Sequence, residues 1–459
     1  MNLLYTEQLK EVASFRDKDG FVFYDSGQVY RYIFPRYFSK YKHLITSGLY
    51  KNLVQKNYLL PFEPITSNDE NIILKTKKIP FISYPYEWSF TQLKEAAKLT
   101  LEIQKIALEH GMQLKDASSY NIQFIGSKPI FIDLLSFDFC RKDFVWNAYK
   151  QFCNHFLAPL AICAFSDPRL KSLYISNIDG VSLDLAKEIL PWKTYLSPSR
   201  FLHLWIHNYF QKKKSFTHQN LRKKCTEDSK SAAFRLIDSL YGSIKSLRIK
   251  KSNTAWGRYE KGHSYNPIAF QSKESIISKL LEEIGPDIIW DLGCNQGHFT
   301  KIASKYSQYS IGFDSDLFCI DAMYNNLKNE DNKNILPLHM DISNPWPNIG
   351  WDNSERKGII ERGPCDLTIA LALVHHLLVT CNIPLEKVVD FLAKISIQLI
   401  IEFIPYSDSK FQQIIQSNPN DFSFLSEEFF ISNFSKAFIL KRRIPIENST
   451  RVIHSYVRR

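Results

Sequence analysis

Beyond residue 270 the spacing of apolar positions switches repeatedly between two periods. In "KESIISKLLEEIG" (273–285) it is helical and stops at Gly285, and "IIWDLG" (288–293) is a short apolar run ending in a carboxylate and a glycine, as a buried strand does. "FTKIASKY" reads as helix, "SIGFDSD" as strand, "FCIDAMYNNLK" as helix and "ILPLHMD" as strand; "DLTIALALVHHL", "LEKVVDFLAKI" and "QLIIEFIP" continue as strand, helix and strand. Strands separated by helices predict an α/β domain with a Rossmann-like parallel sheet covered on both faces, its ligands at the carboxyl ends of the strands. "AFILKRRIPIENSTRVIHSYVRR" predicts an antiparallel hairpin that finishes the sheet.

The first half is less regular. "GFVFYDSGQVYRYI" (20–33) has the pattern of a hairpin, "SFTQLKEAAKLTLEIQKIALEHG" (89–111) of a long helix, and "KDASSYNIQFIGSKPIFIDLLSF" (115–137) reads as loop, strand, turn and strand. From 211 to 251 the chain becomes strongly basic, in "QKKKSFTHQNLRKKC" and "KSLRIKKSN", and "TAWGRYEKGHSYNP" follows, rich in aromatic and turn residues. This shift predicts an α+β domain over 1–250, a linker or lid over 251–270 and the Rossmann-like domain over 271–459. Trp256, Tyr259 and Tyr265 either line an acceptor pocket at the mouth of that domain or fasten the two domains together.

Composition narrows the class. With 459 residues, 44% hydrophobic and 14% aromatic, the chain is globular and long enough for two domains. A formal charge of +11 admits polyanionic partners, RNA among them, without requiring one. The eight cysteines include no CxxC pair, which excludes a zinc knuckle and predicts scattered reduced thiols. The first twenty residues are charged throughout, unlike a signal peptide, and the longest apolar stretch, "FLAPLAICAF" (156–165), is too short to span a bilayer. The expected compartment is therefore the cytoplasm. Nothing in the sequence specifies an oligomeric state.

The chemistry concentrates at "DLGCNQG" (291–297). Glycines in the first strand-to-helix turn let the backbone approach a bound nucleoside closely. A dinucleotide site needs G-x-G-x-x-G, whereas only Gly293 and Gly297 flank "CNQ" here. Asp291 would repel a pyrophosphate and suits a cationic amino-acid tail, so a sulfonium cofactor fits better. Asp314, ending the second strand, is placed for both ribose hydroxyls, and Asp341, ending the third, for an adenine amino group. Cys294 reads as a small buried filler.

The ordered set "DLGCNQGHFT", "GFDSD", "LHMDIS" and "DLTIALALVHHL" resembles the successive motifs of class I S-adenosylmethionine-dependent methyltransferases, over roughly 270–459. The resemblance implies S-adenosylmethionine as cofactor, with Asp291, Gly293 and Gly297 flanking its methionine moiety, Asp314 its ribose and Asp341 its adenine. Asn295 stands where that family usually has a further glycine. With "EFIP" after the fifth strand and the long N-terminal extension, the layout is similar to the nodulation-protein-like methyltransferases of bacteria, which implies a small-molecule or saccharide-type acceptor.

Methyl transfer from a sulfonium is an in-line displacement from an activated donor, so positioning supplies most of the rate and a base is needed only if the acceptor must lose a proton. His375 and His376, read as ending the fourth strand, and Glu402, ending "LIIEF", are the candidate bases. The packing alternative leaves His375 in the core and His376 as a cap or in contact with the cofactor backbone. "ALVHHL" lacks the Asn/Asp-Pro-Pro-aromatic sequence used on DNA bases, which argues against DNA methylation.

In the first half, Asp116, Asn121 and Asp133 resemble the catalytic loop and metal-binding aspartate of kinase-like phosphotransferases, which implies a nucleotide or magnesium site. No HRD-type histidine precedes Asp116 and no Gly-rich phosphate loop is present, so a degenerate scaffold is the preferred reading. Alternatives to a small-molecule methyltransferase are an RNA methyltransferase, a bifunctional protein with an active kinase-like half, and a cofactor-binding module without turnover.

Overall fold

A computed structural model describes residues 9–67, 71–197, 201–206, 227–249, 267–416 and 420–459. The chain divides into two compact units, the first holding Met1–Phe124, Pro129–Lys250 and Ile349–Arg356, the second Ile125–Lys128, Lys251–Asn348 and Lys357–Arg459.

In the first unit, β1 (Gly20–Asp25) and β2 (Gln28–Ile33) pair antiparallel, as their pattern predicts. Ser26 and Gly27 both turn with positive φ, which matches the right-handed twist of a tight hairpin. With β3 (Phe62–Ser67) and β4 (Ile72–Thr76) they form a sheet of order β1-β2-β4-β3, and Phe21, Phe23, Tyr32 and Ile73 pack together on it. Helix α1 (Phe90–Glu109) starts at a capping box in which Ser89 and Gln92 satisfy each other's backbone N–H groups, and it buries Leu93, Ala97, Leu101 and Leu108 at helical spacing. After it come β5 (Met112–Leu114), β6 (Ile122–Ile125), β7 (Lys128–Phe131) and β8 (Phe137–Phe139).

The second unit is a seven-stranded sheet. Its strands are β9 (Ile288–Leu292), β10 (Tyr309–Asp314), β11 (Ile335–His339), β12 (Cys365–Ala370), β13 (Ser396–Phe403), β14 (Phe438–Pro445) and β15 (Val452–Arg458). The spatial order is β11-β10-β9-β12-β13-β15-β14, with β9 to β13 parallel and β15 antiparallel to both β13 and β14. This is a Rossmann-like α/β fold, closed by the expected hairpin. Helix α2 (Pro267–Ile284) lays Ile277, Leu280 and Leu281 on Ile289, Leu367, Ile369 and Ile400, and consecutive residues of β9, β10 and β12 are buried, as in strands covered on both faces. The strand order reverses between β9 and β12, and such a switch point opens a crevice at the carboxyl ends of the strands.

One expectation is corrected. "DLTIALALVHHL" is not a single strand: β12 ends at Ala370, Ala372 takes φ 51, and a helix, α4, runs Val374–Val379 after α3 (His298–Ala303) earlier in the unit. The left-handed alanine turns the chain past the carboxyl end of the central strand β12, and Val374, Leu377 and Leu378 then bury at helical spacing, so His375 and His376 lie on a helix. Among the described residues no helix is long and apolar enough to cross a membrane.

Candidate functional site

The turn from β9 into α3 contains three left-handed residues: Gly293 (φ 76), Asn295 (φ 52) and Gly297 (φ 85). Asparagine is one of the few side chains that tolerate this region, which explains how Asn295 stands in place of glycine. Gly297 is favoured by its φ, and a Cβ there would come 2.5 Å from Met323 Cε, so Met323 would have to shift. The turn is pinned to β10 by Gly293 N and Cys294 N, which donate to Phe313 O at 2.8 and 3.0 Å. Cys294 packs with Ile320, Met323, Leu327 and Ile335, and burial pushes its thiol well up, so it is a filler and not a nucleophile.

Two carboxylates flank this turn, and a third follows β11. Asp291 is buried, and Thr300 Oγ1 donates to its Oδ2 at 2.6 Å. Burial pushes its carboxyl up to about 6, against the downward pull of the Thr300 hydrogen bond. Asp314 accepts Asn295 N and Asp316 N, both at 2.8 Å, so it ties the end of β10 to the middle of the turn; burial raises it too. Asp341 follows β11 and accepts Ser343 N at 2.8 Å and Ser343 Oγ at 2.6 Å. These residues therefore follow or end the adjacent strands β9, β10 and β11 on one edge of the sheet. A small apolar cavity of about 50 Å³, walled by Ile342, Ala370, Leu373 and Leu377, lies beyond Asp341.

The candidate bases divide. His375 is 6% exposed, its Nδ1 has no hydrogen-bond partner, and its ring centroid lies 4.1 Å from that of His376 and 6.0 Å from that of Phe411. Burial, with His376 and Arg451 close by, holds His375 well below the ordinary histidine range, and burial pushes His376 down to about 4. Both imidazoles are neutral at pH 7. Glu402 is not a free base: Oε2 is 2.7 Å from Lys273 Nζ and Oε1 is 3.4 Å from Arg451 Nη1. Arg451 continues through Nε and Nη2 to Asp408 at 2.8 and 3.2 Å, and Asp408 caps helix α5 (Ser409–Ile415), which carries Phe411. Lys273, Arg451 and Asp408 are absent from the sequence-based candidates. The available signal was Lys273 itself, a charge at helical spacing with the buried Ile277 and Leu280.

In the first unit Asp116, Asn121 and Asp133 do come together. Asn121 Nδ2 donates to Ser136 Oγ at 3.0 Å, Ser136 Oγ donates to Asp133, and Asp116 accepts Ser118 N at 2.9 Å. Burial, then the charge of Asp133, raises the Asp116 carboxyl. Arg31 on β2, unforeseen, places Nη1 2.5 Å from Asp133 Oδ1. Among the described residues no group of three or more His, Cys, Asp or Glu is arranged to hold a metal ion. Trp256, Tyr259, Tyr265 and the basic residues 211–226 lie outside the described residues.

No family model matches the chain. Among solved structures, the N-methyltransferase NodS from Bradyrhizobium japonicum WM9, also solved in complex with S-adenosyl-L-homocysteine, is 12% identical over 42% of this chain and 98% of NodS, with a TM-score of 0.32. Magnesium protoporphyrin IX methyltransferase (ChlM) from Synechocystis PCC 6803, with bound S-adenosyl-L-homocysteine, is 15% identical over 45% of this chain and 95% of ChlM, with a TM-score of 0.32. Nodulation protein NoeA of Rhizobium meliloti (strain 1021) is 32% identical over 458 residues, which are 97% of this chain and 95% of NoeA. A match of that identity along nearly the whole of both chains makes this protein a member of the nodulation protein NoeA family.

Proposed function

We propose that the second unit binds S-adenosylmethionine at the β9–α3 turn and methylates a small-molecule or saccharide-type acceptor. The observation that carries this reading is a turn with three left-handed residues, tied to Asp314, with carboxylates at or near the carboxyl ends of the three adjacent strands β9, β10 and β11. The residues suit the parts of the cofactor. Gly293 leaves the turn backbone uncovered, and the buried Asp291 matches an ammonium, because Lys273, the nearest cation acting on it, is itself 2.7 Å from Glu402. Asp314 matches vicinal hydroxyls and Asp341 an exocyclic amine.

When bound, the cofactor supplies an activated methyl group on a sulfonium. The chain's part is to hold the acceptor in line and keep water out. His375, buried and with Nδ1 unpartnered, is the group on α4 with a ring nitrogen open to the acceptor, and its lowered basicity suits it to accept a hydrogen bond better than to take up a proton. Glu402 is assigned to holding β13, α2 and β15 together. For the first unit we read a recognition scaffold without phosphotransfer, because Arg31 already pairs with Asp133. The RNA reading gains no observation from the described residues.

The Asp291 carboxyl gives a test. With its pKa near 6, it is ionised at pH 7 and mostly protonated at pH 5, so attraction for the ammonium is lost as pH falls. Affinity for S-adenosylmethionine is expected to be about tenfold weaker at pH 5 than at pH 7. Binding near pH 5.5 should release a proton, seen calorimetrically as a dependence on buffer ionisation enthalpy. Affinity unchanged between the two pH values would remove Asp291 from the cofactor site.

A further inference from the structure

A larger cleft of about 520 Å³ opens at the carboxyl end of β13, between Phe403, the segment after it and the β14–β15 turn. Its walls include Tyr406, Ser426, Glu427, Arg443, Thr450 and Arg451. None of the site residues considered so far, apart from Arg451, belongs to it.

Its chemistry is specific. Both wall arginines are already matched: Arg443 holds Glu427 through two parallel bonds of 2.8 and 2.7 Å, and Arg451 holds Asp408 and Glu402. A phosphate or carboxylate would have to compete with those partners, so the walls carry no uncompensated positive charge for an anion. What they do offer is hydroxyls, from Thr450, Tyr406 and serines of which Ser426 and Ser449 accept backbone N–H groups and can still donate, beside a planar arginine–carboxylate pair and Tyr406, a residue 36% exposed. Dense hydroxyls, a forked polar pair and one open aromatic face suit a ligand with many hydroxyls and no charge, whose C–H faces can lie on the ring. The volume falls within the range of small-molecule sites.

The cleft also adjoins the proposed chemistry. Phe411 packs 6.0 Å from His375 on one side and 6.0 Å from Tyr406 on the other, ring centroid to ring centroid. Asp408, the cap of the helix carrying Phe411, is held by the same Arg451 that lines the cleft.

We infer that this cleft is the acceptor subsite and takes a neutral, polyhydroxylated segment, a saccharide of a few rings. The inference rests on the methyltransferase reading for its placement beside His375, and the test separates the two. Saturation-transfer NMR would be recorded on the full-length protein with neutral trisaccharides of glucose, mannose and N-acetylglucosamine, and with glucose 6-phosphate as the charged probe. Tyr406→Ala and Arg443→Ala, both at exposed positions, serve as variants, with S-adenosylhomocysteine affinity as the control for fold and cofactor site. The expected result is a signal from at least one neutral trisaccharide that falls at least tenfold in both variants while S-adenosylhomocysteine binds all three proteins alike. No signal from any neutral trisaccharide, or one that survives both substitutions, overturns the cleft assignment and leaves the cofactor reading standing. A response to glucose 6-phosphate alone overturns the neutral class. Failure of the wild type to bind S-adenosylhomocysteine overturns the cofactor reading itself.

Discussion

Glu402→Ala is expected to destabilise the second unit by about 3–5 kcal/mol, because it removes one member of a buried charge network and keeps the others buried. Lys273 would lose the carboxylate 2.7 Å from its ammonium while remaining 4% exposed at the side chain, and Arg451, 3% exposed, would keep only its Asp408 arm among the two carboxylates now holding it. Burial already pushes the Lys273 ammonium down and Glu402 is the largest opposing influence, so the variant should drive Lys273 toward its neutral form. Replacing both partners, Lys273→Met with Glu402→Met, is expected to recover most of the loss, since an apolar pair carries no desolvation cost. Urea unfolding followed by tryptophan fluorescence checks this, with Trp290 fully buried in the sheet as reporter. A single-variant loss below about 1 kcal/mol would mean that the network is solvated and that Glu402 is free for chemistry after all.

Asp314→Ala is expected to weaken S-adenosylmethionine binding by about 100-fold or more. Two hydroxyl donors on one carboxylate are charge-assisted bonds of about 1.5–3 kcal/mol each, and their joint loss reaches that factor at the low end. The same side chain also receives Asn295 N and Asp316 N, so alanine would loosen the turn as well as remove the ribose contact. Asp314→Asn separates these effects, because the amide oxygen can still accept one backbone N–H. It should melt close to the wild type and still bind at least tenfold more weakly. If both variants bind like the wild type, the ribose lies elsewhere.

Much of the second unit is written in local pattern. Periods of helix and strand place β9 to β13 in order, and Asp291 and Asp314 sit at the first polar positions past apolar runs, with Asp341 two residues after β11. The turn is legible because glycine and asparagine are the residues that tolerate its backbone. The end of β12 is not, because "ALALV" is apolar under either period and the left-handed Ala372 that ends the strand has no side-chain signature. What is invisible locally is what pairs across distance: Lys273 with Glu402, Glu402 with Arg451, and Arg31 with Asp133 are each separated by at least 49 residues. The cleft at Phe403 has the same character. Its walls come from three stretches between 403 and 452 that meet only when β15 runs back antiparallel between β13 and β14. The hydroxyl residues in those stretches read singly as turn formers.

Isothermal titration of the full-length wild-type protein with S-adenosylmethionine at pH 7 tests most directly whether the β9–α3 turn binds that cofactor. One site per chain with micromolar-class affinity, competed by S-adenosylhomocysteine, is expected. An absence of binding heat at millimolar ligand in two buffers, with the protein folded, would contradict it.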